Sequence, residues 1–384
     1  ALAFLHWLPR KEVARELKSR IWFWVALFLV VRAVSAVFSP YQLFAWKHVA
    51  LWVAAAVYVG VTMLFVRRHG FRKVLPAVIV LSVSLSAAMA VIGYFWEIPF
   101  FADKAVTGAF KRGTGFAPDP NNLSLMIVFA LPFLFHYLFH TKGVFRRLAA
   151  LGLLAINIVA VITTFSRGGA LMFGVMLAGL LVEYRRRLRP EYLGLLTGAA
   201  ALAVLFIVAT APPSYWDRLR SLVRAEDRAI ARRESYVVVA GQAFVERPFL
   251  GHGPGAFPKI YAQTDYAELY QDRDESKERF AHNTYLEVLV GSGLVGLLAF
   301  LGLIYYAFKS FSLARERAGP NDQSEMAALV GTYRLSFLLV LIYLTIFSDP
   351  YHKFMLLSLG VSQVALRVAG TKKSEKLEEA AGNG

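Results

Sequence analysis

The chain has 384 residues, 57% of them hydrophobic and only 18% charged, with a formal charge of +16. The apolar share lies well above the roughly 45–50% of soluble globular domains, which excludes a string of ordinary soluble domains. Nucleic-acid binding, the usual reading of so basic a balance, needs a water-exposed face to carry the charge. The absence of cysteine removes disulfide scaffolds and thiolate metal sites.

A membrane-crossing helix needs about 20 mainly apolar residues. That rule predicts an all-α polytopic integral membrane protein with ten transmembrane helices, at 21–38, 43–66, 74–96, 122–140, 147–165, 168–183, 192–211, 283–308, 327–347 and 350–367. Seven spans fall within 1–212, a hydrophilic and mainly helical insert occupies 213–282, three spans lie within 283–368, and 369–384 is a solvated tail. Ala1–Leu8 (ALAFLHWL) reads as the end of a helix entering a basic loop. An upstream hairpin is therefore expected, bringing the total to twelve.

Orientation follows from Lys and Arg in alternate loops. The stretches Arg10–Arg20, Arg67–Lys73, Lys142–Arg147, Arg185–Arg189, Lys309–Arg317 and Arg367–Lys376 hold most of the cations, while the opposing short turns are almost bare. Both termini are expected in the cytoplasm and the insert outside. The insert carries as many acids as bases, so the +16 mainly records topology.

Three outward segments carry the chemistry. In Thr163-Thr164-Phe165-Ser166-Arg167-Gly168-Gly169, glycines permit a tight turn into a helix whose first amides favour an anion. Arg167 adds a fork of donors matched to phosphate oxygens. An ordinary hairpin touching lipid headgroups would look the same. The second segment is a predicted amphipathic helix over 229–245, with Arg228, Arg232 and Arg233, followed by Pro248-Phe249-Leu250-Gly251-His252-Gly253-Pro254-Gly255. Its arginines suit a membrane-surface diphosphate or, equally, lipid headgroups. The third is His282-Asn283-Thr284-Tyr285-Leu286-Glu287, where the insert re-enters the membrane. Here His282 is the general-base candidate. The glycines at 291, 293 and 296 read as close packing between membrane helices. Of the buried charges, Arg32 divides between function and snorkelling, whereas Arg334 reads as a snorkelling cation. The acids Asp265, Glu268, Asp272, Asp274, Glu275 and Glu278 alternate with Arg273, Lys277 and Arg279 and read as a solvated face rather than a metal site.

In this order and at these helix boundaries, the segments resemble the O-antigen ligase and O-antigen polymerase superfamily of bacterial inner membranes. Gly115-Phe116-x-x-Asp119-Pro120-Asn121-Asn122 belongs to the same resemblance. It implies glycosyl transfer at the periplasmic face from an undecaprenyl-diphosphate-linked glycan donor. In the ligase branch the acceptor is lipid A–core. The resemblance further implies an inverting, metal-independent reaction without cofactor. Arg167 and Arg233 match the family's functional arginines, and His282 matches its essential histidine. Asn283, Tyr285, Asp119, His252 and Arg32 are the further substrate-binding candidates. A polymerase or a protein O-glycosylating ligase would use the same donor. A lipid-linked glycan transporter is the reading from a different class. Membrane lipids are expected partners and nucleic acid is not.

Overall fold

The computed structural model describes residues 10–104, 111–184, 228–270, 277–319 and 325–382, with isolated positions between 194 and 216. Eight described helices are long and apolar enough to cross a membrane, and Ile21–Val37 is a shorter apolar helix. With it, nine of the ten expected spans have a counterpart. The tenth, 192–211, lies largely outside the described residues, as do Ala1–Leu8 and Arg185–Arg189. The protein is thus an all-α polytopic membrane protein. One small hairpin, Ala102–Lys104 paired antiparallel with Lys111–Gly113, is the local exception among the described residues.

In chain order the helices are α1 (Arg10–Leu17), α2 (Ile21–Val37), α3 (Gln42–Phe65), α4 (Leu75–Phe95), α5 (Pro120–His140), α6 (Val144–Thr163) and α7 (Arg167–Tyr184). They continue with α8 (Arg228–Glu246), α9 (Phe257–Tyr261), α10 (Asp265–Leu269), α11 (Thr284–Ala318), α12 (Glu325–Tyr343) and α13 (Lys353–Gly382). Helix α13 extends well into the segment expected to be a solvated tail. The chain divides into two compact units that interleave in sequence. One comprises 1–71, 228–317 and 344–384; the other comprises 72–227 and 318–343.

The first unit joins α2, α3 and α11 through aromatic packing. Phe28 meets Trp52 edge-on at 4.8 Å, and Trp52 meets Phe300 at 6.2 Å. Polar side chains inside the helical packing are satisfied locally: Gln363 donates to Ser310 and accepts from Ser19. Above the spans in sequence order, α8 places Tyr236, Val239, Ala240 and Ala243 against Phe257, Tyr261 and Ala281. Its opposite face, including Arg233, Val237 and Val238, is exposed. The sequence-predicted amphipathic helix is therefore present, and its apolar side roofs a small core of its own.

Helix α11 corrects the reading of one of its glycines. Gly293 takes φ +64° and ψ −168°, breaking the helix in two. A left-handed, extended break of this kind favours glycine, which has no Cβ to clash. The freed backbone groups are taken up by the loop after α8. Leu294 N–H donates to the Pro248 carbonyl at 2.8 Å, while His252 and Gly253 N–H donate to the Val290 and Gly291 carbonyls. Irregular backbone at membrane depth requires such internal satisfaction. Gly293 thus serves a discontinuity, while Gly291 packs against the Gly253–Pro254 backbone and Gly296 faces Val31.

In the second unit, α5 is the central helix and packs on α4, α6, α7 and α12. Phe133 meets Tyr333 at 4.7 Å, and Ser336 Oγ donates to the Phe129 carbonyl at 2.9 Å. Asp119 caps α5 by accepting from the Asn121 and Asn122 N–H groups, and Pro120 follows at the first helical position, where its missing N–H is harmless. Arg334, read from sequence as a snorkelling cation, meets Glu183 at 3.5 Å. Segments assigned to one side by charge also meet within each unit. Glu16 pairs with Arg367 in the first, and Arg72 approaches Glu325 in the second.

Candidate functional site

Among the described residues three non-glycine residues take the left-handed region: His282 at φ +48° in the first unit, and Glu97 at φ +57° and Phe165 at φ +46° in the second; those at His282 and Phe165 adjoin the segments singled out from sequence. Such residues are uncommon and are held by their surroundings.

At the first turn, every backbone N–H around His282 that re-enters α11 has a named acceptor. Ala281 N–H donates to Glu287 Oε1 at 2.7 Å, and Asn283 N–H donates to Ser348 Oγ at 3.0 Å. Thr284 N–H reaches the Leu344 and Phe347 carbonyls, while its hydroxyl donates to Phe347 and accepts from Asp349 N–H. Asn283 Oδ1 then caps α11 by accepting from the Tyr285 and Leu286 N–H groups. The half-buried His282 ring lies nearly parallel to Tyr236, with centroids 5.8 Å apart.

Positive charge gathers around that aromatic pair. Burial pushes the Tyr236 phenol up, and the fields of Arg232, Arg279 and Arg233 pull it back down. Arg233 thus lies within electrostatic reach of Tyr236, from the exposed face of α8. Arg279 joins it, although the sequence reading assigned Arg279 to a solvated charged face. Its neighbours in sequence do behave as surface charges, with Lys277 paired to Glu268 at 2.9 Å and Lys259 paired to Glu278.

His252 is buried and its Nε2 lies 2.8 Å from the Ala243 carbonyl, which requires the proton on that nitrogen. It ties the loop to α8. The loop also bears on His48: a Cβ at Gly255, where φ is +78°, would run into that imidazole. Arg32 does not snorkel. It is only 2% exposed, donates from Nη2 to Tyr351 Oη at 3.0 Å, and lies among the rings of Phe28, Trp52 and Tyr351. Tyr351 also bonds His48 Nδ1 at 2.7 Å. Tyr285, half-buried, has its ring edge toward Phe300.

At the second turn, Arg167 is the first residue of α7 and half-buried. Ser166 Oγ accepts from Gly169 N–H at 3.0 Å and donates to Asn121 Oδ1 at 2.8 Å. Arg112, from the hairpin, donates from Nε to the Thr164 carbonyl at 2.7 Å and from Nη2 to Asn121. Ser124 and Thr164 hydroxyls close the network at 2.9 Å. The expected tight entry to a helix is present, and Gly169 leaves no room for a Cβ beside Ser124. Asp119 belongs to this turn through its cap on Asn121.

Sequence reasoning thus named the residues at both turns but missed those that hold them. Ser348 and Asp349 support the first, Tyr351 holds Arg32, and Arg112 and Ser124 support the second beside Asn121 of the motif already noted. A polar run as dense as Ser348-Asp349-Pro350-Tyr351-His352 between two apolar helices was the available signal.

No curated protein matches the chain. Residues 152–301, which hold both the Arg167 turn and the His282 turn, match the family described as O-Antigen ligase. Over that segment the chain is similar to the O-antigen ligase family.

Proposed function

We propose that the protein is an inner-membrane glycosyltransferase that moves O-antigen polysaccharide from undecaprenyl diphosphate to a sugar hydroxyl of lipid A–core, at the periplasmic face. The observation that supports this most directly is the His282 turn. An imidazole held on a pinned, left-handed backbone beside Tyr236, whose phenol lies in the field of three arginines, is suited to act as a base next to an anionic leaving group.

In the reaction, His282 takes the proton from the acceptor hydroxyl as its oxygen attacks the anomeric carbon. The bond to the diphosphate breaks with its electron pair, releasing undecaprenyl diphosphate and inverting the anomeric centre. Arg233 stabilises the charge that develops on the diphosphate, the largest single contribution in sites of this kind, and the family resemblance assigns the same role to Arg167. Arg32 and Tyr285 contact substrate. Asn283, Asp119 and His252, whose side chains are engaged with backbone, shape the walls on which substrate rests. No step calls for a metal or cofactor.

The test is direct. Purified protein is incubated with undecaprenyl-diphosphate glycan and, separately, with lipid A–core, a polypeptide acceptor and a second lipid-linked glycan. Mass gain on lipid A–core is expected. Gain on either other acceptor reassigns the branch to protein glycosylation or polymerisation, and glycan flux across vesicles without any new glycosidic bond overturns transfer altogether.

A further inference from the structure

Phe280 and Glu287, on either side of His282 in sequence, line a cavity of about 230 Å³ within the first unit. This is smaller than the roughly 300–1,000 Å³ pockets that take drug-sized ligands. Arg32, His48, Asp349 and Tyr351 complete its polar wall, and Leu51, Val288 and Pro350 supply apolar surface.

The polar groups are held in place but not exhausted. Arg32 is fixed among three aromatic rings, yet its buried Nε–H has no hydrogen-bond partner among the described residues. A buried donor left unmet is costly and calls for an acceptor. Asp349 Oδ1 accepts only one backbone N–H, from Tyr351 at 3.0 Å, among its described hydrogen bonds. A carboxylate offers about four lone-pair sites, so acceptor capacity remains. The cavity therefore combines a fixed donor, acidic acceptors, a phenol ring and aliphatic surface.

That mixture selects among ligands. A phosphate would gain Arg32 but face the carboxyls of Glu287 and Asp349. A lipid chain would leave the Arg32 Nε–H and the spare acceptor capacity of Asp349 unmet. A cation would have to sit beside the guanidinium. A neutral polyol meets each group in turn, since its hydroxyls donate to carboxyls and accept from Arg32 while its C–H face lies on Tyr351, Leu51 and Val288. We propose that this cavity is a subsite for a single neutral sugar ring, with Arg32 and Asp349 holding its hydroxyls and Tyr351 its apolar face. The inference rests on the glycosyl-transfer reading and specifies where a sugar next to the transferred bond is recognised.

The experiment uses the full chain in detergent, with methyl glycosides of glucose, galactose, mannose and N-acetylglucosamine as probes and saturation-transfer NMR as readout. So few atoms should bind with a dissociation constant on the order of 1 mM. Transfer to the ring protons of at least one glycoside is expected, with affinity about tenfold weaker in Arg32→Gln and in Asp349→Asn. If Arg32→Gln does not fold, Asp349→Asn decides the matter. Absence of transfer from every glycoside, unchanged affinity in the folded variants, or displacement by inorganic pyrophosphate overturns the subsite. His282→Ala must still bind the glycosides. Loss of transfer activity with glycoside binding intact would then be a failure at the base and not at the subsite. Full activity with no glycoside binding would leave the transfer reading standing and remove the subsite. In turnover assays, an increase in KM confined to donor or to acceptor identifies which substrate the ring belongs to, and unchanged KM for both counts against the proposal.

Discussion

The His282 turn and the Arg167 turn reach similar shapes by different routes. At His282 the left-handed conformation falls on the chemically important residue itself, and the backbone on both sides is pinned by side chains from elsewhere, notably Glu287 and Ser348. At the second turn the left-handed residue is Phe165, and Arg167 follows as an ordinary first residue of a helix, with Ser166 and Asn121 bracing the approach. An imidazole acting as a base must be placed to within a few tenths of an ångström. A guanidinium binding a diphosphate has five donors and a long stem, and tolerates more play. Both turns hold one residue in the left-handed region, and only at the first does it fall on the residue with the higher positional demand.

The sharpest way to break this comparison is removal of the base. His282→Ala is expected to lower turnover by about 10²–10⁴-fold while donor binding is retained; a rate near normal in a transfer assay would dispose of the role. Arg167→Ala and Arg233→Ala come next, each expected to lose roughly 2–4 kcal/mol of transition-state stabilisation. Single-turnover rates with lipid-linked donor measure this, and survival of both rate and donor affinity would contradict the assignment.

Glu287 tests the pinning itself. Glu287→Ala leaves the Ala281 N–H without its acceptor and should lower kcat by about 10- to 100-fold with little change in KM. Glu287→Gln keeps a carbonyl acceptor and should recover most of the rate. Equal loss in both variants would mean that the charge, and not the backbone bond, is what matters. On the other side of the comparison, Asp119→Ala removes a helix cap and should cost about 1 kcal/mol of stability, read as a fall in Tm.

The smallest effect concerns pH. His352 follows the loop that pins Thr284, and burial, with Lys353 beside it, holds its pKa down to about 4. The unfolded chain takes up that proton near pH 6.5. Between these values the unfolded state binds more protons, so stability falls as pH falls. From pH 7 to 6 the loss should be less than about 1 kcal/mol, and His352→Gln should flatten that part of the Tm profile. A profile that stays as steep in the variant would point to another group.

Much of this architecture was legible in the order of residues. Spans are set by the cost of bringing unpaired backbone into hydrocarbon, a requirement met within each helix, so hydropathy located nine of them within a few residues. The amphipathic helix carrying Arg233 was readable for the same local reason. Ser166-Arg167-Gly168-Gly169 and His282-Asn283 were recognisable as turns because glycine, asparagine and helix starts have short-range rules.

Other features depended on distance through space. Asp119 and Asn283 suit a cap or a ligand equally well in sequence, and only the N–H groups they accept from separate the two. His252 gives its ring N–H to Ala243. Arg32 bonds Tyr351, which lies 319 positions later, and no spacing rule spans that interval. The glycines at 291–296 looked like packing because their helix is apolar throughout; the break at Gly293 exists because a loop more than 40 residues earlier supplies carbonyls to the freed N–H groups.

The sequence by itself therefore determined the class of the protein and the segments long and apolar enough to cross a membrane, since both follow from local composition and charge. The tertiary structure decided which polar side chains are already committed to backbone and which retain capacity to bind a ligand. A hydrogen-bond donor or acceptor is spent or free only relative to its neighbours in space, and folding alone chooses those neighbours.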